Sequence, residues 1–162
     1  MVTIREVLFK AKLKDWKTNP QQNKWVEGYY LSRKETTYCF TEDYERNPVK
    51  TLHYIAVDSM TDWGLPNEFR CYEIDPDTLC QFTGVFDKNG NKIWENDIIK
   101  KVDSNAFGYH RERICEVLFD DLGYWKVMTT LGDGYWFGEL NLRDVQFEVI
   151  GNNFDNPELL EV

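Results

Sequence analysis

Val7, Phe9, Ala11 and Leu13 alternate with Leu8, Lys10, Lys12 and Lys14, the period of two expected of a strand with one buried face and a lysine-lined outer face. Asn19-Pro20, followed by Gln21, Gln22 and Asn23, breaks the chain. The aromatic run WVEGYYLS from Trp25 to Ser32, interrupted by Gly28, then pairs back, so residues 2–31 are predicted as a β hairpin with a mobile connection. Arg33 to Asn47 is a polar stretch closed by Pro48 and reads as an excursion loop, and Leu52 to Val57 reads as a strand. Asp62 to Phe69, with Gly64 and Pro66, is a turn before RCYEI, and Asp75-Pro76-Asp77-Thr78 is a second turn before LCQFTG.

The later half alternates strand and turn signals more densely. Asp87-Lys88-Asn89-Gly90 lies between VF and IW, and Asn-Gly adopts the positive φ angles of tight turns, which predicts a hairpin over Val85 to Trp94. Asp97 to Val102 begins the next strand after the corner Glu95-Asn96-Asp97. Cys115, Val117 and Phe119 alternate with Ile114, Glu116 and Leu118, Asp120-Asp121-Leu122-Gly123 turns the chain into YWKVMTT, and Leu131-Gly132-Asp133-Gly134 turns it into YWFG. Val145, Phe147 and Val149 mark the last strand. Asn156 is placed to cap a helical turn over Pro157 to Leu160, whose leucines are expected to dock on a barrel formed by these strands.

Short strands at this spacing predict a small barrel. The expected fold is mainly β, α+β at most: an N-terminal hairpin or small sheet over residues 1–80, a C-terminal barrel over 81–162, and a short closing helical turn, packed together as one unit. Six Trp, nine Tyr and ten Phe in 162 residues supply large side chains suited to pleated surfaces and agree with that reading.

Charge narrows the function. The formal net charge is −9, and a negative field opposes the phosphate neutralisation behind ordinary nucleic-acid binding. The acidity is uneven: residues 1–80 hold 11 Lys and Arg against 13 Asp and Glu, and residues 81–162 hold 8 against 15. Cysteines 39, 71, 80 and 115 show no CxxC pair and no flanking histidines at zinc spacing, so they are read as reduced packing residues. No apolar run has the length of a signal peptide core or a membrane span, so the expectation is a soluble cytoplasmic protein.

Four stretches resemble the YopX family of phage and prophage proteins: VLFKA from Val7, YEIDPDTLCQFTG from Tyr72, DKNGNKIWENDII from Asp87 and EVIGNNFDNPELL from Glu148. They stand in the family's order. Where the family has glycine in its acidic corner this chain has Asn96, a residue that tolerates the left-handed conformation. The resemblance implies a largely β protein whose C-terminal half is an SH3-like barrel, carried by phages and self-associating. It brings no active site.

The candidate chemistry is sparse. Asp87 to Asn91 departs from a calcium loop, because Lys92 and Ile98 take the places of the required glycine and glutamate. Asp120, Asp121 and Asp133 either converge as a divalent-cation site or serve as turn residues. His53 is read as a strand residue with a satisfied nitrogen, and His110 belongs to the loop NAFGYHRER, which is solvated or touches a ligand. Consecutive aromatics on strands send neighbouring rings to opposite faces. Tyr109, His110, Tyr124, Trp125, Tyr135 and Trp136 therefore form the candidate interaction surface, unless the rings pack internally. No catalytic residue, cofactor or metal ligand is assigned.

The leading expectation is a noncatalytic phage accessory protein that binds a protein partner and forms a homo-oligomer, without direct nucleic-acid or membrane binding. An acidic decoy imitating DNA toward a host nucleic-acid-binding protein is the alternative, and a metal-assisted enzyme using the three aspartates comes last.

Overall fold

A computed structural model describes residues 6–104, 110–136 and 145–161. The chain divides into two compact units, Met1–Leu79 and Cys80–Val162. Both are built from antiparallel sheet, and the expectation of a mainly β protein holds.

In the first unit β1 (Phe9–Lys12), β2 (Trp25–Lys34), β3 (Thr51–Ser59) and β4 (Glu68–Glu73) lie in the order β4-β3-β2-β1. β1 pairs with the first half of β2, Phe9 opposite Gly28 and Lys12 opposite Trp25, while the second half of β2 pairs with β3 from Tyr29 opposite Ala56 onward. The chain returns to its start: Leu13 bridges Ile74, Lys14 N–H donates to the Glu73 carbonyl at 3.1 Å, and Asp75 N–H donates to the Lys12 carbonyl at 2.9 Å. Ala11, Ile55 and Ile74 are the buried core, with Phe9, Val26, Tyr30, Val57 and Leu79 packed on it.

Three expectations for this unit are corrected. Lys12 belongs to the predicted outer face but is buried, because its ammonium donates to Asn23 Oδ1 at 2.6 Å and lies 4.4 Å from the Trp16 ring centroid and 5.3 Å from that of Trp25. A buried cation needs such partners. The β1–β2 connection is hydrogen-bonded throughout: Thr18 and Asn19 donate to the Asp15 carbonyl, and Asn19 Oδ1 caps a 3-10 turn over Pro20–Gln22. The polar excursion contains a short helix, α1 (Thr41–Arg46), with Glu42 and Asp43 at its positive end and Arg46 at its negative end.

The second unit opens with the hairpin of β5 (Cys80–Phe86) and β6 (Lys92–Trp94). A five-stranded sheet follows, built from β7 (Asp97–Ser104), β8 (His110–Phe119), β9 (Trp125–Thr129), β10 (Gly134–Trp136) and β11 (Val145–Asn152) in the order β10-β9-β8-β7-β11. Among the described residues this sheet is open, and no closed barrel is seen. Ile93, Ile99, Cys115, Val117, Val127 and Phe147 form its core.

Turn chemistry fixes these strands. Gly90, Gly123 and Gly132 take φ of 83°, 88° and 89°, closing turns in which each donates to the carbonyl three residues back. In the Asn89-Gly90 turn the glycine alone is left-handed. Asn96, at φ 61°, is the one non-glycine residue with positive φ among those described, as its place in the acidic corner requires. The closing 3-10 turn Pro157–Leu160 forms, but Asn156 makes no side-chain cap. Asn152 Oδ1 instead accepts from the Phe154 and Asp155 amides just before it, at 3.0 and 2.9 Å.

Candidate interaction site

The first unit contains an open cleft of about 800 Å3. Its origin is Gly28. A Cβ there would lie 2.3 Å from the Ala56 carbonyl oxygen, so only glycine lets β2 pass this close to β3. Beyond that crossing the strands part, since Trp25–Gly28 follow β1 whereas Val57, Asp58 and Ser59 continue with β4. The space between the two hairpins is the cleft.

Leu13, Val26, Val57 and Tyr72 give it an apolar floor, and Trp25 forms one wall. Lys14, Asp15, Lys24, Glu27 and Glu73 make the rim. Lys14 and Glu73 are in an ion pair at 2.6 Å, and the hydrogen bond and charge of Glu73 raise the Lys14 ammonium above its ordinary pKa. Cys71, Tyr72 and Glu73 come from β4, the edge strand of this sheet and exposed along almost its whole length. An edge strand presents unpaired backbone amides and carbonyls to an incoming chain.

The wall is preorganised. Lys10 lies 4.9 Å above the Trp25 ring, and Lys12 reaches the same ring from within. Trp16 Nε1 donates to Asp75 Oδ2 at 2.9 Å, and Lys17 pairs with the same oxygen at 3.4 Å. Burial alone pushes the Asp75 carboxyl up, but hydrogen bonds from Trp16, the Asp77 amide and Lys17 outweigh it and hold the group below its ordinary range.

The aromatics singled out from sequence lie elsewhere, on the second unit. Trp125, Val127 and Thr129 share one face of β9, and Trp125 packs partly buried on the core, 4.8 Å from the Phe119 ring. Tyr135 is drawn onto the same core: its hydroxyl accepts from the Arg113 guanidinium, and Lys101 Nζ lies 4.5 Å above its ring. Tyr124 is half-buried, and its carbonyl accepts from the Asp120 amide. His110 begins β8 and Trp136 ends β10. Tyr109 lies outside the described residues. His53 accepts or donates through Nδ1 to the Tyr30 hydroxyl at 2.7 Å, a satisfied strand residue as read from sequence.

The aspartates do not converge. Asp120 sits at the start of β9 and Asp133 beyond its end, so the length of a five-residue strand, about 16 Å, separates their turns. Asp120 is engaged by Lys126 at 2.6 Å and by the Leu122 amide. Cys80 and Cys115 are buried packing residues, and burial pushes the Cys115 thiol up to about 11. Cys39 and Cys71 are exposed, against the packing expectation.

Nothing in the hydrophobic pattern announces the cleft, because the divergence of two hairpins is a tertiary property. The signal available was Gly28 inside an otherwise aromatic strand, since an interior glycine marks a close backbone approach. No helix among the described residues is long and apolar enough to cross a membrane.

The chain matches the family model described as YopX protein over residues 16–161. Among solved structures it is similar to the crystal structure of protein EF1440 from Enterococcus faecalis, at 20% identity and a TM-score of 0.47, covering 97% of this chain and 99% of that one. The comparison with curated proteins found no match.

Proposed function

Because the chain belongs to the YopX family, we propose that it is a phage or prophage accessory protein that works by binding a protein partner, without catalysis, in the bacterial cytoplasm. The observation that carries this reading is the cleft, an apolar floor bordered by the exposed edge strand β4. Such a site suits an extended peptide segment, whose backbone adds to the edge while alternate side chains reach Val26, Val57 and Tyr72. The SH3-like reading of the second unit belongs with it. Its meander β7 to β10, with β11 returning beside β7, is the arrangement a small barrel needs before its edges meet.

The acidic-decoy alternative draws on the charge of residues 81–162. Several of those carboxylates are already engaged: Glu148 by Lys88, Glu112 by Lys100, Asp103 by Lys101 and Asp120 by Lys126. Asp87 is occupied by backbone amides of its own unit. Fewer carboxylates are therefore available to imitate phosphates than the count of 15 suggests.

The test is affinity capture from nuclease-treated lysate of a phage-bearing host, comparing the natural chain with Tyr72→Glu at low and high salt. A partner retained in high salt by the natural chain and lost by the variant is the expected result. Partners that are unaffected by Tyr72→Glu, or that all dissociate in salt, would overturn the reading.

A further inference from the structure

The hairpin joining β3 to β4 displays an exposed apolar tip. Trp63 is 93% exposed, Met60 71% and Leu65 59%, a concentration of apolar surface that a water-exposed turn does not need. The turn is nonetheless ordered: Trp63 N–H donates to Asp62 Oδ1 at 2.6 Å, Leu65 N–H to the Asp62 carbonyl at 3.2 Å, and Thr61 Oγ1 to the Pro66 carbonyl at 2.8 Å. Gly64 at φ 78° completes it. The turn backbone that presents Trp63 is ordered before contact and need not be ordered on docking, and tryptophan is among the residues enriched in interface hot spots. Asp58, Asp62 and Glu68 flank the tip against one cation, Arg70.

The second unit carries a surface of opposite character. A groove of about 450 Å3 is lined by the apolar Ile114, Leu131 and Ile150, and by Lys100, Arg111 and Arg113 against one carboxylate, Glu112. Leu131 at its margin is 80% exposed. The tip therefore has a net charge of −2, from three acids and one base, and the groove +2, from three bases and one acid.

We propose that the Trp63 tip of one copy docks in the Lys100–Arg111–Arg113 groove of a second copy. Apolar surface meets apolar surface, and the two charge excesses cancel. The contact is heterologous, tip to groove, so each copy keeps one unused half and assembly proceeds to rings or chains. It uses no residue of the cleft and stands apart from the proposed function.

Sedimentation velocity of the full chain over a concentration series tests it with three variants of exposed residues, Trp63→Ser, Arg111→Glu and Tyr72→Glu. The natural chain and Tyr72→Glu are expected to self-associate, and Trp63→Ser and Arg111→Glu to do so roughly tenfold or more weakly. Mixing the Trp63→Ser and Arg111→Glu chains should restore a one-to-one heterodimer, because each supplies the half the other lacks. A natural chain that stays monomeric, association indifferent to Trp63→Ser, or a mixture that yields no heterodimer would overturn the proposal.

Discussion

The Asp87 carboxylate accepts from the Val149 amide, 62 residues further along the chain, at 3.1 Å. The same carboxylate accepts from the amides of Asn89 and Asn91, both at 2.8 Å, and from Asn91 Nδ2. It therefore closes its own hairpin and joins that hairpin to β11. Lys88 repeats the link, donating its amide to the Phe147 carbonyl and pairing with Glu148 at 2.7 Å.

Asp87→Asn should cost roughly 1–3 kcal/mol in chemical denaturation, since an amide cannot accept at both atoms and strands a buried donor. Burial pushes the Asp87 carboxyl up, but its hydrogen bonds outweigh that and hold it below the ordinary carboxylate range. A depressed folded pKa contributes stability above the unfolded value and loses it as pH falls through the folded one. The difference between the natural chain and the variant should accordingly shrink on acidification below the ordinary carboxylate pKa, and constancy there would refute the assignment.

Asn96 is left-handed and ties the corner between β6 and β7 to β8 and to the residue after β11, its amide donating to the Val117 carbonyl and its carbonyl accepting from the Asn153 amide. Asn96→Gly should leave thermal stability unchanged or slightly raised. Asn96→Val should lower it by about 1–2 kcal/mol, the cost of a branched side chain at that φ. Equal melting temperatures for the two variants would contradict this account of the corner.

Gly28→Ala should cost about 1–3 kcal/mol, because the new methyl must displace the Ala56 carbonyl, 2.3 Å away. The strain falls where β2 leaves β3, so the variant should also lose affinity for any cleft ligand. A variant as stable as the natural chain by thermal denaturation would show that the crossing is looser than described.

Magnesium, manganese and calcium should leave the melting temperature unchanged, because the turn aspartates lie at opposite ends of β9 and Asp120 is held by Lys126. A ligand specific for the folded state would raise it. An increase with any of the three ions would reinstate the metal reading.

Much of the strand order was legible because local chemistry wrote it. Gly90, Gly123 and Gly132 mark turns, Phe147 and Val149 mark a strand by alternation, and Asn96 stands where a positive φ is needed. Lys12 was not legible, since its burial depends on Trp16, Asn23 and Trp25 closing around it from other parts of the fold. For Trp125 and Tyr135 the sequence left surface and internal packing both open, because the cross-strand contacts with Phe119, Arg113 and Lys101 that draw them toward the core depend on strand pairing. The cleft itself rests on one backbone approach at Gly28, and the exposed Trp63 looks like any turn aromatic until its surroundings are known.

The most direct measurement is amide hydrogen exchange of the full chain, alone and with the partner recovered by capture. The account predicts added protection in β4, over Arg70 to Glu73, and in Trp25 to Glu27 across the cleft. Protection confined to Cys80–Val162, with β4 exchanging as in the free protein, would contradict it.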